Sequence, residues 1–281
     1  MKQLLVCIDG SQYATSCCRY AGWLAKRLDC RIELVYVTDL RQFEAPFVAD
    51  LSGSLGIQPF QAVMGQLQAL EEKKAELVLS QGEDLLRESG YGGEVLKTHK
   101  TGFLVDCLNE LEQSSDFIVI GKRGENANFA TEHLGSTMER VARAAVKPCF
   151  VASRSFDGVK KIAFAYQSVS SCHSALNFLK SHPLADGLEL HVITVAPSEE
   201  EATALDILKE AEIALGDSNI DARYQMLHGI PSQAISCYVK DNAIDMLVMG
   251  AYGHSRIRRL VIGSFTTEML RDCRKPILMF R

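Results

Sequence analysis

The chain lacks most of the features by which a sequence declares its chemistry. Its nine cysteines are an odd number and include no Cys-x-x-Cys. That excludes a disulfide scaffold, and several of them stand inside apolar runs, where cysteine behaves as a small core residue. Cys17 and Cys18 are adjacent on a helical stretch, a poor geometry for a redox pair. The seven histidines have no ligand spacing, so no metal site is expected. No run of eighteen apolar residues occurs, which argues against a membrane span. Basic residues are not in excess: the formal charge is -5 and neither half is basic, unlike a nucleic-acid binder. The one basic cluster, Arg256 to Arg259, has no interleaved aromatics. There is no lysine in a Gly-Lys-Ser/Thr context and no obvious acid pair to hold Mg²⁺, so no dedicated hydrolytic centre is indicated. The N-terminal apolar run is short and ends in Asp9 without a small-residue cleavage site. It reads as a first strand, and the chain as cytoplasmic.

What is present is a repeat. The second half contains Asp245-Met-Leu-Val-Met249, an apolar run of the buried parallel-strand type, followed by Gly250-Ala-Tyr-Gly253. Nine residues later come Gly263-Ser264, opening a helix that starts with Phe265. Strand-end glycines allow backbone N–H groups to approach a ligand, and a helix N-terminus favours an anion. His254, Arg256, Arg258 and Arg259 reinforce that preference. The first half repeats the order: Asp116-Phe-Ile-Val-Ile, Gly121-Lys-Arg-Gly124, ten residues, then Gly135-Ser136. Ser136 to Glu139 has the spacing of a capping box.

Around these loops, five strands and four helices recur in order with a period of about 150 residues. The first half predicts strands at 4–8, 31–37, 94–99, 117–120 and 148–152, with helices over 13–28, 60–88, 103–113 and after Ser136. Residues 39–59 read as an irregular loop. The second half predicts strands at 161–166, 188–195, 222–228, 245–249 and 276–280, with helices near 170–180, 199–215, 230–239 and 265–273. The alternation implies right-handed crossovers and parallel sheets. The expected architecture is α/β: two tandem open five-stranded sheets, mostly parallel, with helices on both faces. The domains span residues 1–154 and 155–281. Ligands of such sheets bind at the carboxyl ends of the strands. Asp9, Val37 and Gly121 share that edge in the first half, as do Gln167, Val195 and Gly250 in the second. The fifth strands are apolar and terminal. They are the candidate edges for pairing within the chain, and association of two chains into a dimer is a further option.

These residues resemble the universal stress protein family in its tandem form. The resemblance covers nearly the whole chain, and Gly250-x2-Gly253-x9-Gly263-Ser264 matches the family's nucleotide-binding pattern at full spacing. It implies that Gly250, Gly253, Gly263, Ser264 and the Phe265 backbone contact ribose and phosphates, with His254 and Arg256 in the same loop. Val195 would present backbone groups to adenine. In the first half Asp9 matches the strand-end aspartate, Val37 the adenine-contacting valine, and Gly121, Gly124, Gly135 and Ser136 the loop. The implied ligand is ATP or AMP, with or without Mg²⁺, and the implied role is regulatory or protective in stress. Each half departs from the pattern. The first loop is one residue longer and carries Glu125 and Glu132 where the second has arginines. The second half has Gln167-Ser-Val in place of Asp-Gly-Ser. Nucleotide binding is therefore expected in the second half. The alternatives are a nucleotide-independent interaction protein and a weak ATP hydrolase.

Overall fold

The computed structural model describes residues 2–39, 57–124, 138, 140–141, 144–196, 200–251 and 264–281. The first half contains β1 (Gln3–Cys7), α1 (Gln12–Leu28), β2 (Arg31–Asp39), α2 (Ile57–Glu88), β3 (Val95–Gly102), α3 (Leu104–Leu111), β4 (Phe117–Gly121) and β5 (Cys149–Ala152). Met138, Arg140, Val141 and Ala144 are helical and lie between β4 and β5. The second half contains β6 (Lys161–Ala165), α4 (Ser170–Ser181), β7 (Glu189–Ala196), α5 (Glu201–Leu215), β8 (Ala222–His228), α6 (Pro231–Asp241), β9 (Met246–Gly250), α7 (Ser264–Asp272) and β10 (Ile277–Phe280). The predicted elements are present with ends shifted by one to three residues. The main difference lies before the long helix: α2 takes in residues 57–59 of the predicted loop. Pro59 is compatible with a first turn, where its missing N–H has no intrahelical partner to lose. The rest of that loop, 40–56, lies outside the described residues, as does the Ser136 cap.

The two five-stranded sheets join edge to edge into one of ten strands, in the order β3-β2-β1-β4-β5-β10-β9-β6-β7-β8. Every neighbouring pair is parallel except the central one. There β10 runs antiparallel to β5, with Ile277 opposite Val151, Leu278 opposite Phe150 and Met279 opposite Cys149. Each half thus keeps the 3-2-1-4-5 order of a doubly wound sheet, and reversal at the centre turns their carboxyl edges in opposite directions.

Side chains alternate between two cores, one per face. Leu4, Val6 and Ile8 face the layer of α1, α2, α4 and α5. Leu5 and Cys7 face the layer that includes α6 and α7. Burial on both faces explains why β1 reads as an unbroken apolar run. Neither core stops at the boundary between halves. Phe178 of α4 lies 5.8 Å from Phe117 of β4 and 5.2 Å from Phe280 of β10. Tyr20 of α1 packs on Phe150 and Phe156, and its hydroxyl donates to the Ser155 carbonyl. Ser16 donates to the carbonyl of Ser153. Arg27 reaches into the second half, donating to the carbonyls of Pro183, Leu184 and Asp186.

Because both cores cross the seam, the halves should unfold together. Phe178→Ala leaves a cavity at the junction and is expected to lower stability by about 3–5 kcal/mol. Urea denaturation followed by tryptophan fluorescence and by circular dichroism should show one shared transition in the wild type, moved to lower urea in the variant. Two separated wild-type transitions would refute a shared core.

Candidate functional site

Strand register places the two carboxyl edges in equivalence. Cys7 pairs with Val35 and Ile120, and Ala165 pairs with Ile193 and Met249. Asp9 therefore corresponds to Gln167, Val37 to Val195, Gly121 to Gly250 and Lys122 to Ala251. The last pair is confirmed by matching backbone bonds, Lys122 N–H to the Ala152 carbonyl and Ala251 N–H to the Phe280 carbonyl.

In the first half, β1 leads into a tight turn. Asp9 Oδ1 accepts the N–H of Ser11 at 3.0 Å, and Ser11 caps α1 by accepting the N–H of Tyr13. Gly10 has φ +75°, a conformation in which a side chain would be strained. The glycine turn folds down onto this aspartate: a Cβ on Gly124 would sit 2.6 Å from Asp9 Oδ2. Structure thus brings Asp9, Gly121 and Gly124 together, with half-buried Val37 on the neighbouring β2. Gly135 and Ser136 lie outside the described residues.

In the second half, Gln167 is exposed just beyond β6, and Val195 is half-buried near the end of β7. Gly250 closes β9. Exposed Ser264 and half-buried Phe265 open α7, with Phe265 packed against the core below. Gly253, His254, Arg256 and Gly263 lie outside the described residues.

Both strand-end glycines have a packing role. A Cβ on Gly250 would lie 2.7 Å from Cys172 Sγ and 3.1 Å from the Cys172 backbone nitrogen. One on Gly121 would meet Tyr13 Cβ at 2.9 Å. In each half the first turn of the helix that follows the first strand rests directly on the end of the fourth strand. The hydroxyl of Ser171, in the first turn of α4, is buried beside Gly250 without a hydrogen-bond partner. α4 itself has no side-chain cap, because Val169 stands where α1 has Ser11.

Two features have no signature in the sequence. Glu210 of α5 accepts hydrogen bonds from the Tyr166 hydroxyl at 2.7 Å and from His173 Nε2 at 2.8 Å. Its carboxyl is held below the usual range by the Tyr166 bond, with help from Ser168 and His173. Burial and the Glu210 bond push the Tyr166 hydroxyl far above its ordinary value. This cluster ties α5 to α4 beside the Gln167 turn. The partners are 37 and 44 residues apart, so no local spacing reveals them. The second feature is Lys122, whose amine leaves its own glycine turn and donates to the carbonyls of Arg271 and Cys273.

Eight of the nine cysteines are buried, all are free, and burial pushes the Cys18 and Cys149 thiols up to about 12. Such thiols stay protonated and unreactive. The described residues contain no group of three potential metal ligands and no helix long and apolar enough to cross a membrane.

Two doubly wound α/β units, joined through their fifth strands, the first with a Gly-x-x-Gly turn at its switch point, define a duplicated Rossmann-like protein. Comparison with known proteins gives the class a name. The model of the universal stress protein family matches residues 1–153 and again 158–281. Universal stress protein Slr1230 of Synechocystis is 42% identical over 288 residues, covering 100% of both chains. The chain belongs to the universal stress protein family and carries its domain in tandem. The crystal structure of a universal stress protein from Archaeoglobus fulgidus superposes with a TM-score of 0.74 at 22% identity, over 99% of this chain and 96% of that one. A universal stress protein structure from Pseudomonas aeruginosa gives 0.66 at 16% identity, covering 100% and 93%. At those identities the two structures speak for the fold alone.

Two measurements check the site geometry. Gly250→Ala should destabilise the ligand-free protein by about 1–3 kcal/mol through overpacking against Cys172; an unchanged denaturation midpoint would remove that packing role. Glu210 has a lowered pKa when folded, so its contribution is present above the unfolded pKa and disappears as pH falls through the folded one. Glu210→Gln should therefore flatten the acid side of the stability–pH profile while leaving its slope near neutrality unchanged. An identical acid limb in both proteins would contradict the cluster.

Proposed function

We propose that the protein is a stress-response module that holds one adenine nucleotide, ATP or AMP, at the carboxyl edge of its second half. The supporting observation is the convergence of Gly250, at the end of β9, with a glycine spacing that delivers Ser264 and Phe265 to the N-terminus of α7. Backbone N–H groups at such a terminus suit phosphate oxygens, and Arg256, Arg258 and Arg259 add positive charge to the loop. Gln167 stands in the place of the family's aspartate, so the base contact there is an amide. By the family pattern, Gly253 and Gly263 would let the backbone approach the nucleotide closely. In this reading the first half keeps Asp9 but loses affinity through Glu125 and Glu132, whose charge opposes phosphate. Bound nucleotide changes conformation or partners, and hydrolysis is at most slow. The β5–β10 pairing supplies within one chain an edge contact that single domains would need a second copy to make.

A second reading has its own observation. α2 runs for 32 residues where its counterpart α5 runs for 15. Leu70 and Leu77 on it are 62% and 56% exposed. That surface suits a protein partner and needs no nucleotide.

Calorimetric titration of dialysed protein with ATP separates the two. One site per chain is expected, weakened about tenfold or more by Gly263→Val, a loss of about 1.4 kcal/mol, and untouched by Gly135→Val. Absence of heat, together with no nucleotide released on denaturation, would overturn the nucleotide reading. Stress survival unaffected by a folded Gly263→Val protein would favour the partner surface.

A further inference from the structure

Lys122 sits in the middle of the first glycine turn, where an amine is well placed for a phosphate, yet it is engaged elsewhere. Its Nζ donates to the carbonyl oxygen of Arg271 at 3.2 Å and to that of Cys273 at 2.5 Å. These lie at the C-terminal end of α7, where carbonyls lack intrahelical partners and carry the helix's partial negative charge. Burial lowers the pKa of the amine, while the nearby Asp272 carboxylate opposes that shift. Asp272 itself is bonded to Arg271. The amine is thus held by carbonyls, whose grip depends on position: two hydrogen bonds that weaken steeply with misalignment.

Each side of this clamp continues into a candidate site. α7 starts with Ser264 and Phe265 at the second half's carboxyl edge. Because β10 is antiparallel to β5, the helix ends at the carboxyl edge of the first half. Its nine residues form a rod of about 13 Å spanning the sheet between the two edges. On the other side, Lys122 is flanked by Gly121, packed on Tyr13, and shortly after by Gly124, packed on Asp9. The arrangement is one-sided. Ala251 occupies the equivalent position in the second half and has no amine to offer.

We propose that Lys122 couples the two candidate sites through α7, so that an adenine nucleotide seated at Ser264–Phe265 stiffens the Gly121–Gly124 turn beside Asp9. The coupling rests on the nucleotide reading of the second half. By linkage it is reciprocal: an anion that draws Lys122 into the first turn loosens the end of α7 and weakens binding at its start. A tandem chain gains from this a route between sites that face opposite ways, which two unlinked domains would not have.

Hydrogen exchange with mass spectrometry tests it, comparing wild type, Lys122→Met and Lys122→Arg with and without ATP. Without nucleotide, Lys122→Met should exchange about tenfold faster at both 121–124 and 271–275, the scale of one lost charge-assisted pair of bonds; unchanged exchange would overturn the clamp. With ATP, wild type should gain protection at 264–275 and at 121–124. Lys122→Met should keep the first and lose the second, and Lys122→Arg should restore it. Protection at 264–275 alone in wild type, or at 121–124 despite Lys122→Met, would refute the coupling and leave the nucleotide site standing. Absence of protection at both segments in wild type would overturn the site and the coupling with it.

Discussion

The antiparallel pairing of β5 with β10 is the constraint on which the rest depends. Both strands have only four residues and all of them are buried. Alone, each would be an apolar edge with unpaired backbone groups, an invitation to aggregation. Paired, they convert two five-stranded sheets into one and give each core a neighbour across the seam. Three residue pairs are a short ladder, and helices reinforce it. α1 crosses to the second half through Arg27, and α4 inserts Phe178 between residues of both halves. The seam is therefore a continuation of the core, built from hydrophobic burial and closed by a few hydrogen bonds to otherwise unpaired carbonyls.

That one reversal also dictates where ligands can go. Parallel strands within a half send all their carboxyl ends to one edge, and antiparallel pairing at the centre sends the other half's ends to the opposite edge. The two switch points cannot form a common cleft. Any communication between them must cross the sheet, and α7 is an element that does so. A fold that sends its two carboxyl edges apart thus places α7 between them.

Most of the architecture was legible because its causes are local. Apolar runs such as Leu4 to Ile8 are what two-sided burial demands, and polar residues such as Asp9 end them. The repeat was legible because the same punctuation occurs twice. Less legible was the union of the sheets: β5 and β10 read as candidate edges, but pairing, direction and register depend on helices far away in sequence. The site divides the same way. Asp9, Gly121 and Gly124 were readable as a group, and the chain brings them together. Glu210 was not, since its partners Tyr166 and His173 meet it only after α5 packs beside α4. Lys122 was visible in the motif, but its direction was not, because the carbonyls it serves belong to the other half.

The strand-end glycines show why motif and function must be separated residue by residue. Gly121 and Gly250 each have a packing reason of their own, since a methyl group at either would strike the helix that follows the first strand. Their presence in both halves therefore does not tell the two carboxyl edges apart, and a half could lose binding while keeping them. Gly124 is different, because what it accommodates is the Asp9 carboxylate rather than a structural helix. The discriminating positions are the end of the first strand, Asp9 in one half and Gln167 in the other, and the sequence of the loop, with glutamates in one and arginines in the other. On those positions the halves diverge. Shared residues such as Gly121 and Gly250 maintain the fold, and the asymmetry of the chain lies in the residues that differ.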